Sequence, residues 1–162
     1  TPDPKNHVML ISGDKDWIQL LRHNVVWRDA RNINREINLS NIMNETGFPT
    51  PYSFLEGKCL TGDTSDCISG VGGIGEKSAP EFIAEFGSVR KFWDKCKSGE
   101  MMPKKVSHKK LASPEGRSIF FRNFRLMQLL RPPTLEDANT SKDAGKLEKD
   151  KFADLCAEAG IS

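Results

Sequence analysis

No apolar run in the chain reaches membrane-spanning length, and no signal-peptide pattern is visible, so neither a bilayer nor secretion is implied. The four cysteines, Cys59, Cys67, Cys96 and Cys156, show no CxxC spacing and have no paired histidines beside them. That argues against a zinc site and points to reduced thiols in an intracellular, cytoplasmic setting. There is no Ser-His-Asp set and no nucleophilic-cysteine pattern. His7, His23 and His108 fall in no motif and read as surface residues. Charge of either sign is not in excess: 24 basic against 22 acidic residues leave +2, too even to declare a nucleic-acid binder, so any basic surface must be local. No internal repeat is evident. With 162 residues, 37% of them hydrophobic, the chain can bury one core and a small appendage.

What is present centres on residues 61–79. Asp63 and Asp66 lead directly into a turn with four glycines, Gly70, Gly72, Gly73 and Gly75, and a helical run follows over 78–86. Glycines let a backbone turn sharply and approach another surface closely. Amides at the start of the following helix then face outward, where a DNA phosphate is favoured. Ile68, Val71 and Ile74 should anchor the turn and make it rigid. An ordinary glycine-rich loop between two helices would look similar, but the adjoining carboxylate pair argues against it.

Residues 7–12 form a continuous, β-branched-rich apolar run that suits a buried strand. It ends at Asp14 and Asp16, the place where open α/β sheets put their ligands, although aspartate there can equally cap the following helix over 16–21. Residues 24–38 alternate as a hairpin or two short strands continuing the sheet edge. A short helix over 39–46 with Ser40 as its cap follows, then a turn at 48–51 and a helix over 52–60 that delivers Asp63 and Asp66. Three residues apart on one helical turn, that pair can point to one place. After the hairpin, helices are expected over 78–86, 89–96 and 113–130, with Phe92 and Trp93 as core rather than a base-stacking platform. The basic stretch 97–110 reads as a loop, and its Lys104, Lys105, Lys109 and Lys110, together with Lys77, are candidates for phosphate contacts. Residues 136–145 are polar and expected to be mobile, and 151–159 to close the chain with a short helix.

Asp14, Asp16, Asp63 and Asp66 are hard oxygen ligands of the kind Mg²⁺ and Mn²⁺ prefer. Two such ions about 4 Å apart can polarise a phosphodiester, generate hydroxide and stabilise the leaving oxygen. Two ions normally need more than four carboxylates, and the chain offers no obvious second cluster.

Residues 11–17 (Ile-Ser-Gly-Asp-Lys-Asp-Trp), 61–66 (Thr-Gly-Asp-Thr-Ser-Asp) and 70–77 (Gly-Val-Gly-Gly-Ile-Gly-Glu-Lys), in that order, resemble the 5′-nuclease (flap endonuclease) superfamily. The likeness is strongest to the bacteriophage and bacterial 5′–3′ exonucleases, including the 5′-nuclease domain of DNA polymerase I. Residues 120–127 (Phe-Phe-Arg-Asn-Phe-Arg-Leu-Met) also resemble a stretch of those proteins. The resemblance implies an α/β fold: the C-terminal part of a PIN-like sheet over 1–60, a helix–three-turn–helix DNA-binding region over 61–135, and a tail over 136–162. It implies that Asp14 and Asp16 match one metal-ligand pair and Asp63 and Asp66 a second. It also implies that Gly70, Gly72, Gly73 and Gly75 grip duplex phosphates, with K⁺ held by carbonyls near Val71 and Ile74. The implied partner is DNA with a 5′ flap, nick or duplex end. The family's N-terminal acidic strand and arch do not precede Val8, so the chain is expected to be a C-terminal half that cleaves weakly or not at all without the missing half. A non-catalytic module gripping duplex or branched DNA is the competing expectation.

Overall fold

The computed structural model describes residues 7–130 of the chain. The expected tail over 136–145 and helix over 151–159 lie outside the described residues. Strand β1 (Val8–Ser12) pairs parallel with β2 (Val25–Asp29), which pairs antiparallel with β3 (Asn32–Ile37), giving the order β1-β2-β3. The alternation over 24–38 is therefore a hairpin continuing the sheet. β1 is not the buried strand its composition suggests. It is an edge strand with Met9 and Ile11 exposed, because within the described residues nothing pairs with its outer edge or covers that face.

A 3₁₀ helix (Lys15–Leu20) follows β1. Helix α1 (Ile42–Thr46) starts at Asn41; Ser40 does not cap it, since its amide and hydroxyl both bond to Asn38 Oδ1. Helix α2 (Pro51–Thr61) begins with a built start signal, Pro51 in the first turn and the Thr50 hydroxyl accepting the Ser53 N–H at 3.0 Å. It stops at Gly62, whose φ of 80° suits only glycine. A two-residue ribbon follows, β4 (Gly62–Asp63) against β5 (Ile68–Ser69).

Beyond the glycine turn come α3 (Ser78–Phe86), α4 (Val89–Lys97), α5 (Val106–Ala112) and α6 (Pro114–Met127). Helix α5 corrects the expected loop over 97–110: Ser107, His108 and Leu111 face inward at helical spacing, and the lysines between them occupy the outer face. The serine hydroxyls of Ser88 and Ser113 cap α4 and α6. One continuous core runs from Ile18 and Trp27 through Leu60 and Val71 to Phe92, Trp93 and Phe120. Phe92 and Trp93 are thus core, as their spacing requires. His108 is buried as well, edge-on to Phe82, Phe86 and Phe92, so it is not the surface residue expected from its lack of motif. Among the described residues no helix is long and apolar enough to cross a membrane.

Candidate metal centre and nucleic-acid interface

The turn after β1 is tied down before any ligand is considered. Asp14 N donates to Ser12 Oγ at 3.0 Å, Trp27 Nε1 to Asp14 O at 3.1 Å, and Arg31 Nη2 to Gly13 O at 3.1 Å. Asp14 Oδ1 accepts the Asp16 N–H at 2.8 Å and caps the 3₁₀ helix. This leaves Asp16 free to turn toward the β4–β5 ribbon. The carboxylates of Asp16, Asp63 and Asp66 each bring an oxygen within 4.8 Å of the others. The four acids therefore do not all converge. Three do, while Asp14 lines the same cleft with one oxygen committed to a backbone amide.

Lys58, in the last turn of α2, was missed in the sequence. Its ammonium bonds Asp16 Oδ1 and lies 2.9 Å from Asp63 Oδ2. Burial alone would lower the Lys58 pKa, but hydrogen bonds to Asp16 and Asp63 outweigh it and leave the group raised. The same bond, helped by Ser65, pulls Asp63 down to about 2, so this carboxylate is ionised throughout the neutral range. A lone cation in a helix that otherwise buries its residues, one turn before an acidic pair, is the signal that could have found it. Two half-buried carboxylates and one exposed one fit a hard divalent cation in charge and donor type. Lys58 offsets their mutual repulsion when no such cation is bound.

The acids sit in an open cleft of about 820 Å³ whose walls also carry Lys15, Arg31 and Arg35, and which extends to Gly75 and Glu76 at the end of the glycine turn. That turn is held from beneath by buried Val71 and Ile74, with Ile68 partly buried. Gly70 lies so close to α2 that a Cβ would sit 2.3 Å from Thr61 O. Gly72 and Gly73, at φ of 90° and 78°, abut α5: a Cβ would meet Lys110 Nζ at 2.6 Å and Ser107 Cβ at 3.0 Å. Their N–H groups enter no hydrogen bond among the described residues, whereas the Gly75 amide is taken by Ser78 Oγ at 2.9 Å. Gly75 has open space around it. Lys77, Lys104, Lys105, Lys109 and Lys110 are all exposed, the last two on α5.

A glycine turn between helices, joined through a short ribbon to a strand-end acidic cluster, defines a helix–hairpin–helix type of unit on the edge of an α/β sheet. Residues 49–144 match the family described as 5′-3′ exonuclease, C-terminal SAM fold, and the chain belongs to that family. It is 26% identical over 132 residues to a 5′-3′ exonuclease of Mycoplasmopsis pulmonis, a match covering 82% of this chain and 44% of that protein. It is 35% identical over 106 residues to a thermostable DNA polymerase I of Thermus filiformis, covering 62% and 12% respectively. Among solved structures, a bacteriophage T5 flap endonuclease in a pseudo-enzyme–product complex with DNA and metal ions aligns with a TM-score of 0.64 at 31% identity, over 75% of this chain and 43% of that one. The chain spans less than half the length of these relatives. The family resemblance and the α/β-plus-helical fold class expected from the sequence both hold.

Divalent metal is expected to raise the melting temperature by a few degrees. A concentration tenfold above Kd corresponds to about 1.4 kcal/mol. Asp63→Asn should blunt the rise. Lys58→Met should enlarge it, because the variant leaves the carboxylates without their internal cation. Calorimetry in Mg²⁺, Mn²⁺ and EDTA checks this, and identical melting in all three would argue against the site.

Proposed function

We propose that this chain is the C-terminal portion of a metal-dependent, structure-specific 5′–3′ exonuclease or flap endonuclease. In that role it grips duplex DNA and contributes part of a two-metal phosphodiesterase site. The observation that carries the proposal is the cleft that holds the three converging carboxylates and reaches Gly75 and Glu76, where the glycine turn ends. Asp16, Asp63 and Asp66 would hold Mg²⁺ or Mn²⁺, with Asp14 beside them through its remaining oxygen. A bound ion would supply polarisation of the phosphodiester and stabilisation of the leaving oxygen. The chain's own residues do the rest of the work. The free amides of Gly72 and Gly73 and the charges of Lys77 and Lys110 hold phosphates without reading bases. Lys104, Lys105 and Lys109 extend that surface, and carbonyls near Val71 and Ile74 are the candidate K⁺ ligands. Arg31 and Arg35 stand on the cleft wall, where a substrate strand would pass.

In this proposal residues 1–60 supply the strand-end acids, 61–135 the DNA grip, and the protein works inside a cell on nicked, flapped or duplex-end DNA. The remaining metal ligands come from an N-terminal half that seats on the edge of β1, which is unpaired among the described residues. A parallel strand pair left uncovered is rare, and Met9 and Ile11 are exposed there. If the chain instead only binds branched DNA, the lysine surface would act without the acids.

Duplex affinity is expected to fall with salt and to be indifferent to sequence. Lys77→Ala and Lys110→Ala should each weaken binding several-fold to every duplex alike and reduce the log–log salt slope by about 1. Fluorescence anisotropy on duplexes of unrelated sequence decides it. A strong base preference, or unchanged affinity in both variants, would defeat the proposal.

A further inference from the structure

Helix α6 carries two adjacent polar residues, Arg122 and Asn123, on a helix that otherwise buries Phe120 and Met127. Asn123 is fully buried. Its Nδ2 donates to Cys59 O and to Ser69 O, both at 2.9 Å. Its Oδ1 accepts from Arg122 Nε at 3.1 Å and Nη2 at 2.9 Å, and Nη2 also reaches Ser69 O at 3.0 Å. A side-chain amide offers two donors and an acceptor with two lone pairs, and here all four are used.

The two carbonyls held by Asn123 stand at either end of one segment. Cys59 lies in the last turn of α2, and Ser69 is the second residue of β5, paired with Gly62 in β4. Between them are Asp63 and Asp66; immediately after Ser69 comes Gly70 and the glycine turn. One buried side chain thus closes the base of the loop that carries two of the three converging acids, at the point where that loop passes into the phosphate-binding turn. Dispersion is non-directional and leaves the ribbon free to slide, whereas the three hydrogen bonds from Asn123 and Arg122 to Cys59 O and Ser69 O set a register.

We propose that Arg122 and Asn123 form a positioning pair that sets Asp63 and Asp66 relative to Asp16 and to the glycine turn. It acts through the β4–β5 ribbon and touches neither metal nor DNA. This rests on the carboxylates binding metal as proposed above.

The test is Mn²⁺ titration by calorimetry on the full chain, at a temperature where circular dichroism shows each variant folded, with duplex affinity measured in parallel. Asn123→Leu strands the buried Cys59 carbonyl and puts folding itself at risk, so Arg122→Ala and Arg122→Lys are the informative variants. Arg122→Ala is expected to weaken Mn²⁺ about tenfold, to leave the salt slope of duplex binding unchanged, and to be only partly rescued by Arg122→Lys, which lacks the fork that reaches two acceptors. Wild-type Mn²⁺ affinity in Arg122→Ala, with only its melting temperature lowered, would overturn the proposal as a purely structural role. A reduced salt slope with intact Mn²⁺ binding would overturn it by making Arg122 a phosphate contact. Wild-type protein that binds no Mn²⁺ at all would instead overturn the metal site on which the proposal rests.

Discussion

The chain alone is expected to bind a 5′-flap duplex and to release almost no labelled product, while the same chain joined to an N-terminal half should cleave it at least about a thousandfold faster. The difference comes from ligand counting. A hard divalent ion takes about six oxygen ligands in near-octahedral geometry, and two ions need more carboxylates than Asp16, Asp63, Asp66 and a half-committed Asp14 provide. Losing one electrostatic contribution of the transition state costs several kcal/mol, roughly a thousandfold in rate. If the complement docks on the β1 edge as proposed above, the effect should appear whether that segment is fused or added in trans. A 5′-labelled flap substrate resolved on a gel, in Mn²⁺ or Mg²⁺, measures it. Robust cleavage by the chain alone, lost in Asp66→Asn, would show that its own ligands suffice. No cleavage after reconstitution would favour a module that only binds.

Glu56→Gln is expected to stabilise the folded protein above neutral pH by about 3–4 kcal/mol and to have little effect near pH 5. Glu56 sits on α2 with 2% of its surface exposed. Its Oε1 accepts the Val89 N–H at 3.2 Å and its Oε2 has no partner among the described residues. Burial pushes the carboxyl up to about 7 from 4.5, opposed in part by the Val89 amide. Because the folded-state pKa is raised, the protonated acid's contribution is complete below 4.5 and is lost as pH climbs through 7. At about 1.4 kcal/mol per pH unit, that window gives the stated size. Glutamine keeps the acceptor and never ionises.

His108 works in the opposite direction. Burial among phenylalanines, with Lys105 nearby, lowers its pKa, so stability falls as pH drops below 6.5. Urea unfolding at pH 5, 7 and 8.5 should show Glu56→Gln little different from wild type at pH 5, with most of its full advantage by pH 7 and little further gain at 8.5. An advantage that does not grow between pH 5 and 7 would mean that Glu56 does not carry the loss.

Much of this was legible locally. The helix over 78–86 matches α3 residue for residue, because an apolar stripe at helical spacing ending in glycine needs no tertiary information. The glycine turn, its anchors and the strand-end acids were equally visible as short-range patterns. What could not be read were properties set by distant neighbours. Lys58 and Asp16 are 42 residues apart, and their ion pair exists only because α2 packs against the 3₁₀ helix that follows β1. The same chain separation hides why only three acids converge, whereas the capping role of an aspartate at this point was visible locally.

Glu56 and His108 look like ordinary polar residues until α4 closes over one and three phenylalanines surround the other. Asn123 stood out only as part of a familiar-looking octet, since nothing local says that its amide reaches back to Cys59 and Ser69. Sequence by itself determined most of the elements, though not α5 or the start of α1, and the chemistry of the acids, because those depend on backbone dihedrals and side-chain type within a turn or two. The tertiary structure alone decided burial, pairing and protonation, because each depends on the dielectric and on charges brought in from another part of the chain.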